Sequence, residues 1–382
     1  MNRTLPAVGT FALLVFAVAL NLRPIMAAMG PLFPLLQRDA QLSATQLSLL
    51  TTLPVIMMGL SALAGPLLLR RLGEVRGIAL GLVLLALASV ARGFNQSSTL
   101  LIISALVAGC GIGLIQALMP AHIKRHFGVK AGTLMALFTT GIMAGAAVAA
   151  ASAAPLANTQ GLPMTLAIPV LPAVLALLLW LKRSHGGASL PNRTQSKTKP
   201  TSRAWLLMIF FGIGTGAYTL VLAWLPPFYM QHGWLPAQSG YVLGALTLTE
   251  VVAGFVLSAV IHRFRDRRRP LLVVLALILL GLISLLLLGG AQAWLPTLLL
   301  GLGIGALFPL SLIVTLDHAH TPEEAGALLS LVQGGGYLIA AIMPLIAGMV
   351  RDRAASLDSA WIIMSVGIVL LMVIALRFKP HA

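Results

Sequence analysis

The stretch VGTFALLVFAVALNLRPIMAAMGPLFPLL, residues 8–36, contains a single charged side chain, Arg23. The stretch is longer than the roughly 20 apolar residues that a membrane-spanning helix requires. A guanidinium stays protonated at physiological pH and is costly in hydrocarbon, so it persists at such depth only beside water, a counter-charge or an anionic ligand. The stretch therefore predicts a membrane helix whose buried cation handles an anion.

The composition extends the membrane assignment to the whole chain. Of its 382 residues, 59% are hydrophobic and 9% are charged, and the mean hydropathy is +0.98. Soluble domains carry about 25% charged residues. The net charge of +16 would suggest a nucleic-acid partner in a soluble protein, but here the Lys and Arg residues lie almost wholly in short connections between apolar segments. We therefore expect no nucleic-acid partner. We expect the basic connections to orient the chain in the membrane and to contact anionic lipids.

Twelve apolar segments are long enough, or nearly so, to cross a membrane as helices. The first continues well past Ala27 and Ala28, where a signal peptide could be cleaved, so we interpret it as a retained helix. The twelve segments cover residues 8–36, 43–69, 78–91, 100–122, 134–155, 162–181, 205–230, 239–261, 271–289, 294–316, 325–350 and 360–376.

The distribution of basic residues predicts the orientation of the chain. Twenty of the 25 Lys and Arg residues lie in the two termini and the even-numbered loops. Cytoplasmic loops carry the excess of basic residues in membrane proteins, which places both termini in the cytoplasm. The odd-numbered loops hold four, namely Arg38, Arg92, Arg351 and Arg353.

The longest polar connection divides the chain into two halves of six segments. Residues 184–203 predict a flexible cytoplasmic linker between an N-terminal bundle, residues 1–183, and a C-terminal bundle, residues 204–382. A shift of 192 residues supports this division, because it places the Gly-Ile-Gly of residues 111–113 on that of residues 303–305. Such a parallel repeat of six spans is typical of transporters whose halves rock around a central site.

Twelve spans with a basic central loop resemble a major facilitator superfamily transporter. The sequence GPLLLRRLGEVR, residues 65–76, is similar to the basic loop motif of that superfamily, although Arg70 stands where the motif usually has an aspartate. Three stretches resemble the cyanate permease family, which includes 2-nitroimidazole exporters: residues 21–24, residues 50–54 and residues 111–125. The resemblance implies an all-α membrane fold with two pseudo-symmetric six-helix bundles. It also implies a monomeric secondary transporter of a small anion in the bacterial inner membrane.

Two ionisable residues are predicted to be central to such a transporter. The apolar span around Arg23 extends too far on both sides for its side chain to reach the membrane surface easily, and the first helix lines the cavity in the resembled fold. Glu250 is the single acidic residue well inside a segment, and we interpret it as a proton carrier influenced by Arg23. The alternatives are that Arg23 braces the Pro24 kink and that Glu250 is a protonated carboxyl bonded to the hydroxyl of Thr247 or Thr249.

Further polar and aromatic residues could complete a binding site. A few convergent polar groups among aromatic walls set orientation and size selection in small-molecule sites. Our candidates are Asn21, Gln116, Thr215, Tyr218, Trp224, Tyr229, Gln333 and Tyr337. In the resembled fold the start of the eleventh helix approaches the second loop, which predicts a cytoplasmic gate. The gate residues are Arg70, Arg71, Arg76, Asp317, Glu323 and Glu324.

Other kinds of function are less consistent with the sequence. An intramembrane enzyme would need paired aspartates, a serine with a base, or clustered metal ligands within a span, and the segments contain none. His122 and His126 have a spacing that could hold a metal, but they flank Lys124 and Arg125, and we interpret them as part of a solvated basic loop. We predict neither a metal nor a cofactor. The alternative within transport is a proton-driven exporter of nitroheterocycles or drugs.

Overall fold

The computed structural model describes residues 8–94, 97–183, 201–319, 321–354 and 356–378. This part of the chain is helical, without a strand, apart from short turns. The helices are α1 Val8–Ala19, α2 Pro24–Ala27, α3 Phe33–Asp39, α4 Ala44–Leu72, α5 Glu74–Phe94, α6 Ser98–Phe127, α7 Ala131–Ala167, α8 Val170–Arg183, α9 Ser202–Gln231, α10 Pro236–Val260, α11 Arg268–Leu288, α12 Trp294–Leu316, α13 Pro322–Ala340, α14 Ile342–Ala354 and α15 Asp358–Leu376.

The described helices form twelve membrane crossings. Eleven helical runs are long and apolar enough to cross a membrane, and one of them, Ala131–Lys182, has 52 residues. At 1.5 Å per residue that run would be about 78 Å long, more than twice the roughly 30 Å of a hydrocarbon core. Gly161 interrupts it with φ 82° and ψ 163°, a conformation that favours glycine. The fifth and sixth crossings therefore meet at Gly161, and the twelve predicted segments are confirmed.

Glycines at equivalent positions make similar close helix contacts in the two halves. A Cβ on Gly111 in α6 would collide with Gly81 of α5, and a Cβ on Gly303 in α12 would collide with Ile278 of α11. The same holds two residues further on, where Gly113 contacts α4 and Gly305 contacts α10. Small residues let helices approach closely in membranes. The sequence repeat thus corresponds to a repeated packing arrangement.

The main contacts between the two halves are those of α4 with α13 and α14 and those of α7 with α10. Smaller contacts join α9 to α2 and α4. The predicted linker, residues 184–203, lies almost wholly outside the described residues, so the boundaries of the two bundles stay predictions. We call the end of the molecule near Arg70 and Arg125 the basic end, and the end near Ala44 and Asp352 the opposite end.

At the opposite end, Asp352 of the C-terminal half binds the first turn of α4 in the N-terminal half. Its carboxylate accepts hydrogen bonds from the amides of Ala44 and Thr45, both at 2.9 Å, and from the Thr45 hydroxyl at 2.6 Å. The first amides of a helix have no partner inside the helix and attract negative charge. Close packing of Gly348 against Ala44 and Ser48 holds the same region together. The halves are therefore joined at this end.

We expect Asp352→Asn to open the opposite end. The amide keeps one acceptor oxygen but loses the charge that favours the α4 terminus, and charge-assisted hydrogen bonds are worth about 1.5–3 kcal/mol. The population closed at this end should fall by about tenfold relative to the open one. Spin labels on the exposed Gln160 and Gln292, one in each half, would report this as a longer distance in pulsed electron resonance. Asp39→Asn, which changes an exposed carboxylate paired with Arg38, is the matched control. An unchanged distance distribution in Asp352→Asn would show that the contact does not hold the halves together.

Candidate functional site

The first crossing breaks between α1 and α2, and the break contains Arg23. The amides of Asn21 and Leu22 donate to Val18 and Ala19, three residues back rather than four. Pro24 has no amide hydrogen and begins α2. The tightened turn ends α1 and leaves Arg23 as the residue before the next helix. The sequence predicted one continuous segment here, whereas the structure divides it into α1, α2 and α3.

The guanidinium of Arg23 is buried and has only weak partners. Arg23 is 5% exposed. Its Nη1 lies 3.7 Å from the sulfur of Met26 and 3.8 Å from that of Met58. Thioether sulfurs are weak acceptors. The Tyr218 ring lies 5.2 Å from Cζ, within the range of a cation–π contact. No described protein group accepts a hydrogen bond from Nε. Most of the five donors of the guanidinium therefore have no strong acceptor among the described residues.

Glu250 in α10 is the second buried ionisable residue of the region. It is 4% exposed, and neither carboxylate oxygen has a hydrogen-bond partner among the described protein groups. The hydroxyls of Thr247 and Thr249 donate to the carbonyls of their own helix, at Leu243 and Ala245. The proposed bond from one of these hydroxyls to Glu250 is therefore absent. Gly305 packs directly against the Glu250 backbone, which brings α12 close behind it.

Arg23 and Glu250 line the same cavity, which has a volume of about 2190 Å³. The cavity extends from these two residues to the exposed Arg70 and Arg71 at the basic end. Both halves contribute to its wall. Of the residues that the sequence predicted for the site, the cavity wall includes Arg23, Gln116, Thr215, Tyr218, Glu250, Gln333 and Tyr337.

Three other predicted residues lie away from the cavity wall. The Asn21 amide donates to the Ala17 carbonyl at 2.7 Å, so it caps the end of α1 and does not orient Arg23. The Trp224 indole donates to the Pro344 carbonyl at 3.1 Å and joins α9 to α14. Tyr229 is fully buried and packs against Trp234. These three side chains therefore contact other parts of the protein and do not line the cavity.

Three of the six predicted gate residues, all arginines, lie at the open end of the cavity. Arg70, Arg71 and Arg76 line its mouth. Asp317 forms an ion pair with Arg267, whose Nε lies 3.0 Å from Oδ2. The Thr321 hydroxyl accepts a hydrogen bond from the Glu324 amide, as its sequence predicts for the start of a helix. The side chain of Glu323 lies outside the described residues. A gate that closes this end stays a prediction, because the cavity is open here.

The structure corrects the interpretation of His122. This residue is 6% exposed, with Nδ1 2.8 Å from Oε2 of the buried Glu74, so its assignment to a solvated loop is wrong. Side-chain atoms of Glu74, His122 and His126 lie within 4.8 Å of one another, a spacing that could hold a metal ion. Arg125 also lies 3.5 Å from Glu74. This nearby positive charge opposes a metal cation. The long-range pairing of Glu74 with His122 has no signal in the sequence.

A second correction concerns Arg92, which the charge count assigned to a loop. Arg92 lies inside α5 and is fully buried. Arg92 directly follows the predicted apolar segment 78–91. The error arose because the predicted segment ends before Arg92, whereas α5 continues to Phe94.

Comparison with known proteins identifies the family. The model of the Major Facilitator Superfamily matches residues 11–344. The chain is 37% identical to the cyanate transport protein CynX of Escherichia coli, over 96% of this chain and 97% of that one. It is 31% identical to the 2-nitroimidazole transporter of the same organism, over 95% and 93% of the two chains. The crystal structure of a D-xylose–proton symporter has a TM-score of 0.77 at 16% identity and covers 98% of each chain, which shows a shared fold. The chain belongs to the major facilitator superfamily and is a multi-pass membrane protein of the secondary transporter type.

Proposed function

We propose that this protein carries a small anion across the bacterial inner membrane by alternating access, together with a proton. The main support for the proposal is that two buried residues, the basic Arg23 and the acidic Glu250, line the same cavity. The 37% identity to a cyanate transport protein supports a small anion such as cyanate.

Arg23 is the anion-binding group of this proposal. A guanidinium offers planar, paired donors that suit a carboxylate-like or linear anion. The methionine sulfurs around it compete weakly for those donors, and the Tyr218 ring supports the cation. Gln116, Gln333 and Tyr337 supply further polar groups on the cavity wall.

Glu250 is the proton carrier, and the charge of the closed site explains the coupling. An empty site with ionised Arg23 and Glu250 has no net charge, and a site with both an anion and a proton has none either. A site with the anion alone has a charge of −1, and a site with the proton alone has +1. A net charge buried in the membrane is costly. The transporter therefore changes sides when both ligands are bound or both are absent, which couples one anion to one proton.

The conformation and charge distribution fit a cytoplasm-facing state. We place the basic end and both termini in the cytoplasm, because basic residues are enriched on that side. Arg70, Arg71 and Arg76 then form a positive mouth that concentrates anions near the cavity. Asp352 closes the opposite end. Residues 1–183 and 204–382 act as the two rocking halves around a site that one chain completes, so a monomer suffices.

The cavity wall also supports a second candidate, the export of nitroheterocycles. Phe211 lies against both Phe308 and Tyr337, with ring centroids 5.6 Å and 5.4 Å apart, and all three line the cavity. Flat heterocycles stack on such rings. The 31% identity to a 2-nitroimidazole transporter favours the same substrate class. In this case Arg23 is structural, which separates the two candidates by experiment.

We expect Arg23→Gln to raise the KM for radiolabelled cyanate by at least about tenfold in proteoliposomes, because it removes charge-assisted hydrogen bonds to the anion. Arg23→Lys should also lose most transport, since an ammonium does not reproduce the planar fork.

The matched control for both Arg23 variants is Arg38→Gln. Arg38 is exposed and pairs with its neighbour Asp39, so its loss should leave KM unchanged. Transport by Arg23→Gln at the parental rate and KM would refute the anion site. Retained transport of 2-nitroimidazole by a variant that has lost cyanate transport would show that anion recognition alone depends on Arg23.

We expect Glu250→Gln to abolish proton-driven accumulation of cyanate while sparing exchange of cyanate for cyanate. The loaded site of this variant is neutral, but its empty site has a charge of +1, so the empty transporter returns slowly. Accumulation under an imposed pH gradient and counterflow at equal pH measure the two activities separately.

Asp358→Asn, which changes an exposed acid at the start of α15, is the control for Glu250→Gln. If Glu250→Gln concentrates cyanate as well as the parent protein does, Glu250 does not carry the coupling proton. Equal loss of accumulation and counterflow would instead indicate a structural role.

A further inference from the structure

Helix α2 ends after a single turn, and its end leaves the carbonyl of Ile25 without its usual helical partner. In a continuous helix the amide of Met29 would donate to Ile25, but here it donates to Met26 at 3.1 Å. Ile25 is 4% exposed. A buried carbonyl without a hydrogen bond is costly, because neither lipid nor an apolar side chain can replace water.

Arg92 of α5 provides the missing donor. Its Nη1 donates to the Ile25 carbonyl at 2.9 Å, and its Nε donates to the Ser104 hydroxyl of α6 at 2.8 Å. Ser104 in turn donates to the Leu101 carbonyl at 2.6 Å. Arg92 is fully buried. One guanidinium therefore connects the short helix α2 to two long helices of the same half.

The connection determines where the anion-binding side chain stands. Helix α2 has four residues and starts at Pro24, directly after Arg23. Among the described residues, the Arg23 guanidinium has weak contacts with two sulfurs and a contact with one aromatic ring. The position of the Arg23 side chain therefore depends on the backbone around it. Arg92 binds this backbone at Ile25, two residues after Arg23.

We propose that Arg92 is a positioning residue for substrate recognition: by binding the Ile25 carbonyl it fixes the α2 turn and so presents Arg23 to the anion. This inference rests on the proposed role of Arg23 in anion binding. Arg92 does not line the cavity, so it acts through Arg23 and not by contact with the substrate.

The test is a double-mutant cycle on the KM for cyanate counterflow in proteoliposomes, with Arg92→Gln and Arg23→Gln singly and together. Arg92→Gln should raise KM by about tenfold with a maximal rate within about twofold of the parent. In the Arg23→Gln background the same change should alter KM by less than about twofold, because residues that act through one another are not additive.

Two further variants keep the test decisive if Arg92→Gln folds poorly. Arg92→Lys retains the charge but has one ammonium in place of the guanidinium fork, and it should raise KM by about threefold or more. Ser104→Ala removes the hydroxyl that accepts from Nε of Arg92 and leaves the bond to Ile25 intact, so it should change KM by less than about twofold. Thermal unfolding of each purified variant checks the fold.

The outcomes separate this inference from the proposed function. If Arg23→Gln raises KM but Arg92→Gln and Arg92→Lys leave it at the parental value, Arg92 is no positioning residue while the anion site stands. Equal effects of Arg92→Gln with and without Arg23 would overturn the inference as well. If Arg23→Gln itself leaves KM unchanged, the proposed function fails first.

Discussion

A helix that stops inside a membrane must find hydrogen-bond partners for the backbone groups that it frees, and this constraint organises the site. The break between α1 and α2 frees the carbonyl of Ala17, and the end of α2 after one turn frees that of Ile25. The Asn21 side chain bonds the first and Arg92 bonds the second. Lipid offers no substitute for these bonds. The break in turn places Arg23 on the wall of the cavity, where a charged group costs less than it would in hydrocarbon.

Neighbouring helices pack closely against this broken segment. A methyl group on Gly145 of α7 would collide with the backbone of Leu20, and one on Gly141 would collide with the Ala19 side chain. In the second half, Gly305 allows α12 to approach Glu250 in a similar way. Close packing accompanies the placement of one basic and one acidic residue on the wall of one cavity. With Asp352 closing the opposite end, the structure has the features that alternating access requires.

Much of this organisation could be predicted from the sequence, because it follows from hydrophobic length and from the cost of buried charge. The twelve crossings and the placement of Arg23 and Glu250 deep in the apolar segments needed only those two rules. The wall position of Gln116 followed from its being a lone amide in a segment that lines the cavity in the resembled fold. By contrast, the bonds of Asn21 and Arg92 to backbone carbonyls depend on where helices end, and the bond of Trp224 depends on how α9 packs against α14. A break is set by tertiary packing, and a single sequence does not show which distant helix supplies the partner. The pair of Glu74 and His122 escaped prediction for the same reason.

The central claim is that the cavity recognises a small anion by its charge. The most direct test is counterflow of radiolabelled cyanate into proteoliposomes preloaded with unlabelled cyanate, at equal pH on both sides and with the membrane potential clamped at zero. The account predicts a transient accumulation of label that excess external cyanate abolishes and that an equal excess of uncharged urea leaves intact. Absence of any accumulation of cyanate, in vesicles that do exchange 2-nitroimidazole, would contradict it.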